Sequence, residues 1–387
     1  MSATVRGSID RLGALLACVA AAALIFLPFV VYKANRIVPG TPRALLEVLP
    51  PAAAMAALLM VAIAAYAALR MTNPYLRLAT ALLGVIAVAL ALAAAGNALT
   101  PAGNKVVRVA PGAGFWVLLC SLGLMATDAI TRLRPGPLMR VLSLVLFLGV
   151  TTLTLAHGTF DHLSIMREYA VNAVRFAHEL RQHLWLAVGS LGAAVTIALP
   201  LGVLCHRVPR VRAGILGTLN LIQTIPAIAL FGILMAPLAA LAAAVPLAAA
   251  LGIRGIGTAP ALIALFLYSL LPVVANTVLG LQRVSPAAVE AARGMGMTRW
   301  QILGPIERPL ALPVILTGIR IVLVQNIGLV AIAALIGAGG LGTFIFQGIG
   351  QTAIDLVLLG ALPTVALAFS AAVLLDALVE AMDRTRP

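Results

Sequence analysis

Lysine is almost missing from this 387-residue chain: Lys33 and Lys105 are the only two, and charged residues of every kind make up just 10% of it. So few charges exclude a soluble globular surface. Aromatic residues are equally sparse at 5% and do not interleave with the arginines, which excludes a nucleic-acid interface. The three cysteines, Cys18, Cys120 and Cys205, lie in or beside apolar runs without CxxC spacing, which argues against a metal site or a disulfide. A phosphate-binding loop is also lacking. Such a loop ends in Gly-Lys-Ser or Gly-Lys-Thr, whereas Lys33 follows Tyr32 and Lys105 follows Asn104. The chain therefore reads as non-enzymatic, with no catalytic residues, no metal ligands and no cofactor of its own.

What is abundant is apolar length. Hydrophobic residues make up 62% of the sequence and the mean hydropathy is +1.10. About ten runs are long enough to cross a roughly 30 Å hydrocarbon core, near 12–32, 50–69, 77–95, 115–130, 139–156, 184–204, 213–235, 259–280, 312–335 and 356–379. The predicted fold class is all-α, a polytopic integral membrane protein. The first run is too long for a signal peptide and no clear cleavage site follows it, so it is expected to be retained as a helix. With the N-terminus inside, the 26 basic residues divide 17 to 9 in favour of the cytoplasmic side. Arg70, Arg77, Arg132, Arg134, Arg140, Arg207, Arg210 and Arg212 carry that bias in short loops. Both termini are then cytoplasmic.

The chain divides near residue 160. Residues 1–160 form an N-terminal module of about five spans with few polar residues inside them. Residues 161–387 open with a stretch rich in His, Arg and Glu, where Phe176, Leu180 and Leu184 are spaced four apart. That spacing suits a helix lying at the outer interface before the sixth span. The later spans contain Gln223, Thr224, Pro226, Asn276, Thr277, Gln325 and Asn326. No internal repeat is evident, so the usual hint of an inverted-repeat secondary transporter is missing.

The segment 284–310 holds EAARGMGMTRWQILGPIERP, a polar arginine-bearing stretch between two long apolar runs. Ala291 and Ala292 have no bulk beyond Cβ, so a helix carrying them can seat closely in a groove. Gly296 supplies the positive φ of a helix stop. Glu290, Arg293 and Arg299 offer charge-assisted contacts to a partner. Glu290, Ala291, Ala292, Gly296, Ile306 and Pro309 stand at the spacing Glu-Ala-Ala, three residues, Gly, nine residues, Ile, one residue, Leu-Pro, with Arg308 in place of the leucine. This segment resembles the EAA coupling loop of ABC importer permeases. Around it, HLWLAVGSLGAAVTIALPLGVL, NLIQTIPAIALFGIL, LIALFLYSLLPVVANTVLGL and IGAGGLGTFIFQGI resemble the permeases of osmoprotectant importers for glycine betaine, choline or related compounds. The resemblance spans about residues 170–380, and the five extra N-terminal spans resemble a longer subtype of that family.

The resemblance implies a permease subunit in the bacterial cytoplasmic (inner) membrane, importing glycine betaine or a related quaternary-ammonium solute. Its implied partners are an ATP-binding cassette ATPase holding ATP and Mg²⁺, a periplasmic or lipid-anchored substrate-binding protein, and a second permease subunit, identical or similar. Beyond membrane lipids no other partner is implied, and nucleic acid is not one. Another small solute, such as an amino acid or an anion, fits the same machinery; a secondary transporter or channel without an ATPase is the alternative from another class.

Two readings of the polar residues inside the spans stay open. Gln223, Thr224, Pro226, Asn276, Gln325 and Asn326 either line the translocation pathway or stitch helices together, at about 0.6 kcal/mol per contact. Asp128, Arg320, Asp355, Asp376 and Glu380 near span ends suggest snorkelling or pairing. Gly337 to Gly342 suits a re-entrant turn at an outer gate, a contact with a binding protein, or a tight connection.

Overall fold

The structure is a computed structural model that describes residues 10–35, 38–101, 103–104 and 106–382. It forms two compact units, Met1–Gly136 with Leu146–Val171, and Pro137–Val145 with Asn172–Pro387. Among the described residues, nine helices are long and apolar enough to cross a membrane, and a tenth apolar helix has 16 residues.

The first unit contains α1 (Arg11–Phe26), α2 (Leu45–Val48), α3 (Pro51–Arg70), α4 (Pro74–Leu99), α5 (Ala113–Leu133) and the later part of α6 (Pro137–Ala156). The first apolar run was expected to be helical to residue 32. Its helix instead ends at Phe26, because Pro28 forces Leu27 into an extended conformation (φ −110°, ψ 142°). Val30, Val31 and Tyr32 then suit a strand better than a helix. They form β1 (Val30–Lys33), the centre of an antiparallel sheet between β2 (Thr41–Arg43) and β3 (Arg108–Pro111). Lipid tails provide no hydrophobic drive between helices, so these helices associate through small residues that allow close approach. Ala20, Ala23, Ala57, Ala64, Ala81, Ala91 and Ala95 are all buried. Gly13 lies so close to α3 that a Cβ there would stand 2.1 Å from the Ala68 carbonyl oxygen.

At the end of this unit away from the sheet, four charges close a cluster. The buried Arg77 guanidinium reaches Asp10 at 3.0 Å, Asp128 at 3.1 Å and the Ala68 carbonyl at 2.8 Å. Arg132 joins the same two carboxylates at 2.5 and 2.9 Å. Asp10 also caps α1 by accepting from the Gly13 amide. That bond, with the Arg77 and Arg132 guanidinium groups, outweighs burial and holds its carboxyl at about 2. The pairing expected for Asp128 is thus present.

Helix α7 (Ser164–Arg207) is one helix of 44 residues, of which the part from Asn172 onward belongs to the second unit. The separate interfacial helix expected before the sixth span is therefore its first half. Ser164 to Trp185 contains neither glycine nor proline, so nothing interrupts the turn. The seventh span, expected over 213–235 with a break near its middle at Gln223–Pro226, is divided there into α8 (Pro209–Thr224) and α9 (Ala227–Ala244), because Ile225 and Pro226 are extended. The apolar stretch after it holds the end of α9, α10 (Pro246–Ala250) and a connection to α11 (Thr258–Gln282). Then follow α12 (Pro286–Gly294), α13 (Arg299–Ile302), a π-helical turn (Leu303–Glu307), α14 (Arg308–Ala333), a 3₁₀ turn (Ala334–Ile336), α15 (Gly342–Gly350) and α16 (Ile354–Met382). Helix α11 is central, meeting α14 where Gly280 faces Ala311 and Gly318 faces Asn276. Five helices of this unit carry an internal proline: Pro200 in α7, Pro237 in α9, Pro272 in α11, Pro313 in α14 and Pro363 in α16. Arg140 pairs with Asp376 and Glu380, each at 2.8 Å, and Arg320 pairs with Asp376, so these charges are also neutralised in place.

Candidate functional site

The segment 284–310 folds as two short helices around a tight turn. Pro286 starts α12 at its first position, where a missing amide costs nothing. The helix stops in a Schellman turn: the Gly296 amide bonds the Arg293 carbonyl at 2.9 Å and the Met297 amide bonds Ala292 at 3.2 Å. Gly296 takes φ +78°, the left-handed value this turn requires, and no neighbour crowds it. Thr298 and Gln301 then form a capping box that opens α13. Pro305 and Pro309 lack the amides that would bond the Gln301 and Pro305 carbonyls, and the chain passes through a π-helical turn into α14.

The face this loop presents is mixed. Glu290, Ala291, Arg293, Arg299 and Gln301 are exposed, together with Met295 and Trp300 at 71% and 78%. Ala292 is buried and Ile306 half-buried, while Pro309 is exposed. Glu307, in the π-helical turn, is 2% exposed and bonds Arg207 at the end of α7 at 2.5 Å. This ion pair fixes the second half of the loop to α7 and was not singled out from the sequence. A signal existed: between Glu179 and Asp355 the only acidic residues are Glu290 and Glu307, against ten arginines.

The polar residues inside the spans do not gather along one passage. Asn326, fully buried, donates to Ser190 of α7 at 2.9 Å and to Ser269 of α11 at 3.0 Å, and so ties three helices. Gln223 donates to the Tyr268 carbonyl of α11 at 2.7 Å, and the Tyr268 hydroxyl donates to the Ile225 carbonyl. Asn276 and Thr224 bond carbonyls of their own helices, Pro272 and Leu221. Gln325 is half-buried and has no side-chain hydrogen bond among the described residues. Pro226 caps α9. Gln223 and Asn326 thus meet neighbouring residues of α11, whereas Thr224, Asn276 and Gln325 stand apart from them. Tyr268, Ser190 and Ser269 were missed because each sits in an apolar run that gives no hint of its partner.

The glycine-rich segment is a tight connection. Gly337, Gly339 and Gly340 have φ of +79°, +78° and +86°. Helix α7 holds it: buried Glu179 accepts from the Gly340 amide at 2.7 Å, and Gln182 donates to the Ala338 carbonyl at 3.2 Å. The buried His183 ring bridges the Leu341 amide and the Ile327 carbonyl, which assigns its proton to Nε2. On the far side a Cβ at Gly360 would meet the Leu341 carbonyl oxygen at 2.4 Å, so α16 packs directly on this backbone.

Comparison with known proteins matches two family models. Residues 10–166 match the N-terminal domain of the ABC transporter permease YehY, and residues 195–386 match the binding-protein-dependent transport system inner membrane component. The osmoprotectant import permease protein OsmW of Salmonella typhimurium is 47% identical over 191 residues, 49% of this chain and 84% of that protein. The carnitine transport permease protein OpuCD of Listeria monocytogenes is 40% identical, covering 54% of this chain and 86% of the relative. The choline transport system permease protein OpuBD of Bacillus subtilis is 38% identical, with 57% and 90% covered.

Proposed function

Because this chain belongs to the family of binding-protein-dependent transport system inner membrane components, we propose that it is the permease subunit of an ATP-driven importer for a quaternary-ammonium osmoprotectant such as glycine betaine, carnitine or choline. The identity to osmoprotectant, carnitine and choline permeases, 47%, 40% and 38%, is the observation that carries the solute. The nine apolar helices and the family make it a multi-pass inner membrane protein. The arginine bias supports placing both termini and the 284–310 loop in the cytoplasm.

The loop is the element on which a separate ATPase acts. Its exposed Met295 and Trp300 beside Arg293 and Arg299 form a surface of apolar and cationic character suited to a protein groove. Force applied to α12 passes through the Gly296 turn into α13 and the π-helical turn. The Glu307–Arg207 pair delivers it to α7, and the continuous chain delivers it to α14. A substrate-binding protein on the opposite face presents the solute, and a second permease subunit completes the pathway. The candidate coupling residues are Glu290, Ala291, Ala292, Arg293, Gly296, Ile306 and Pro309. Among the pathway candidates, Asn276 and Gln325 keep that role best, because neither amide bonds a neighbouring helix.

Uptake of labelled glycine betaine tests this reading in cells lacking their own betaine transporters. The chain is co-expressed with its neighbouring ATPase, binding-protein and permease genes. Uptake is expected in wild type and not in Gly296→Asp, whose side chain cannot hold φ +78° without strain. Uptake absent from wild type while an ATPase still co-purifies would discard the betaine assignment and turn the search to another small solute.

A further inference from the structure

Two prolines in neighbouring helices each create an orphan, and the structure pairs the two orphans. Pro272 lies inside α11 and has no amide, so the Tyr268 carbonyl four residues earlier loses its helical partner. Pro226 separates α8 from α9, leaving the Ile225 carbonyl at the break without a helical donor. The Gln223 side chain donates to the Tyr268 carbonyl at 2.7 Å, and the Tyr268 hydroxyl donates to the Ile225 carbonyl. Each helix thus satisfies the defect in the other. Tyr268 is 5% exposed among apolar neighbours Leu230, Phe231 and Leu265, while Gln223 and Ile225 are half-buried, so the two bonds are shielded on the α11 side.

We propose that Gln223 and Tyr268 are positioning residues that form a reciprocal latch across the α8–α9 break, holding it against the α11 kink in the resting transporter. When α8 and α9 part from α11, both carbonyls lose their donors together. That state is reached only where water enters to replace them, so unlatching and hydration of the break are one event. The break gives α9 freedom to swing relative to α8, and the latch sets the position from which it swings. Asn326, bonded to Ser269 beside Tyr268, anchors the α11 side so that the motion falls on α8 and α9.

This inference rests on the importer reading, but its test needs no solute, so an error in the solute leaves the outcome untouched. The complex with its ATPase and binding protein is reconstituted in liposomes. Cys18, Cys120 and Cys205 are replaced by serine or alanine, and Ile225→Cys is introduced as the reporter. A water-soluble maleimide measures how often water reaches the break. In the resting complex, Tyr268→Phe and Gln223→Leu are each expected to label about three- to tenfold faster than the parent. The double variant is expected to be no faster than the faster single one, because one latch is broken either way. Adding ATP with binding protein is expected to raise the rate in the parent and to change it little in the variants. Parent-like rates in both variants, or effects that multiply in the double variant, overturn the latch. A parent rate unmoved by ATP, with the variants still fast, keeps the latch and discards the ATP-driven cycle.

Discussion

Both units start helices with proline, but among the described residues only the second also holds it inside them. In the first, proline stands at helix entrances, Pro51 in α3 and Pro74 in α4, where it removes no hydrogen bond. In the second, five helices hold a proline inside, and the backbone defects at Pro226 and Pro272 are covered by side chains from elsewhere in the unit. The first unit is also closed at both ends, by a three-stranded sheet and by the Asp10–Arg77–Asp128–Arg132 cluster, with alanines between them. It is built as a stiff body. The second is built from segments that can hinge, held by a few specific bonds, and this is the unit that carries the 284–310 loop.

The largest test of this contrast compares the two sets of charges. Glu307→Gln leaves Arg207 without a counter-charge in a partly buried site and is expected to cost about 3 kcal/mol. It should appear as a lowered apparent unfolding midpoint of the detergent-solubilised chain and as slowed uptake. Arg132→Ala is expected to cost only about 0.5–1 kcal/mol, because Arg132 is 43% exposed and Arg77 still holds both carboxylates. Equal losses in the two variants would contradict a redundant cluster set against a single-pair junction.

Next comes the backbone. Pro272→Ala restores a donor for the Tyr268 carbonyl and is expected to raise stability by at most about 1 kcal/mol while slowing uptake several-fold. Pro51→Ala in the first unit should leave uptake unchanged and alter stability by about 0.5 kcal/mol. If Pro272→Ala transports at the parent rate, the α11 kink has no part in the motion.

The smallest effect concerns pH. The Asp10 carboxyl is held at about 2 against its usual 3.8, so its contribution to the first unit is full above 3.8 and fades as pH falls towards 2. Exchange protection of the Gly13 amide should decline over that window in the parent, whereas Asp10→Ala, which has no side-chain acceptor, should give low protection at every pH. A parent whose protection is constant down to pH 2 would contradict the assignment.

Much of this contrast was legible in the sequence. Apolar length marked the spans, and Pro226 marked the break inside the seventh, although the division of that run into α8 and α9 needed the structure. The turn at Gly296 could be anticipated because helix stops have a local chemistry. The sheet could not: Val30 to Lys33 continue an apolar run, and one of their strand partners, β3, lies some eighty residues away. Tyr268 and Glu179 were missed for a related reason. Each acts on a backbone group of a distant segment, and a backbone carbonyl or amide leaves no letter in the sequence to point to it.

Helix α7 has a mechanical consequence. Glu179 grips the glycine-rich connection, and Arg207, 28 residues later (207 − 179), grips the π-helical turn before α14. At about 1.5 Å per residue the two grips are about 42 Å apart, more than the roughly 30 Å of hydrocarbon that a bilayer interposes. One continuous helix is thus a tie clamped at each end, with Pro200 as its single soft point between the clamps. A displacement at one face of the membrane reaches the other along it, less what the missing hydrogen bond at Pro200 lets it bend, and a bilayer that thins or thickens meets a nearly fixed length.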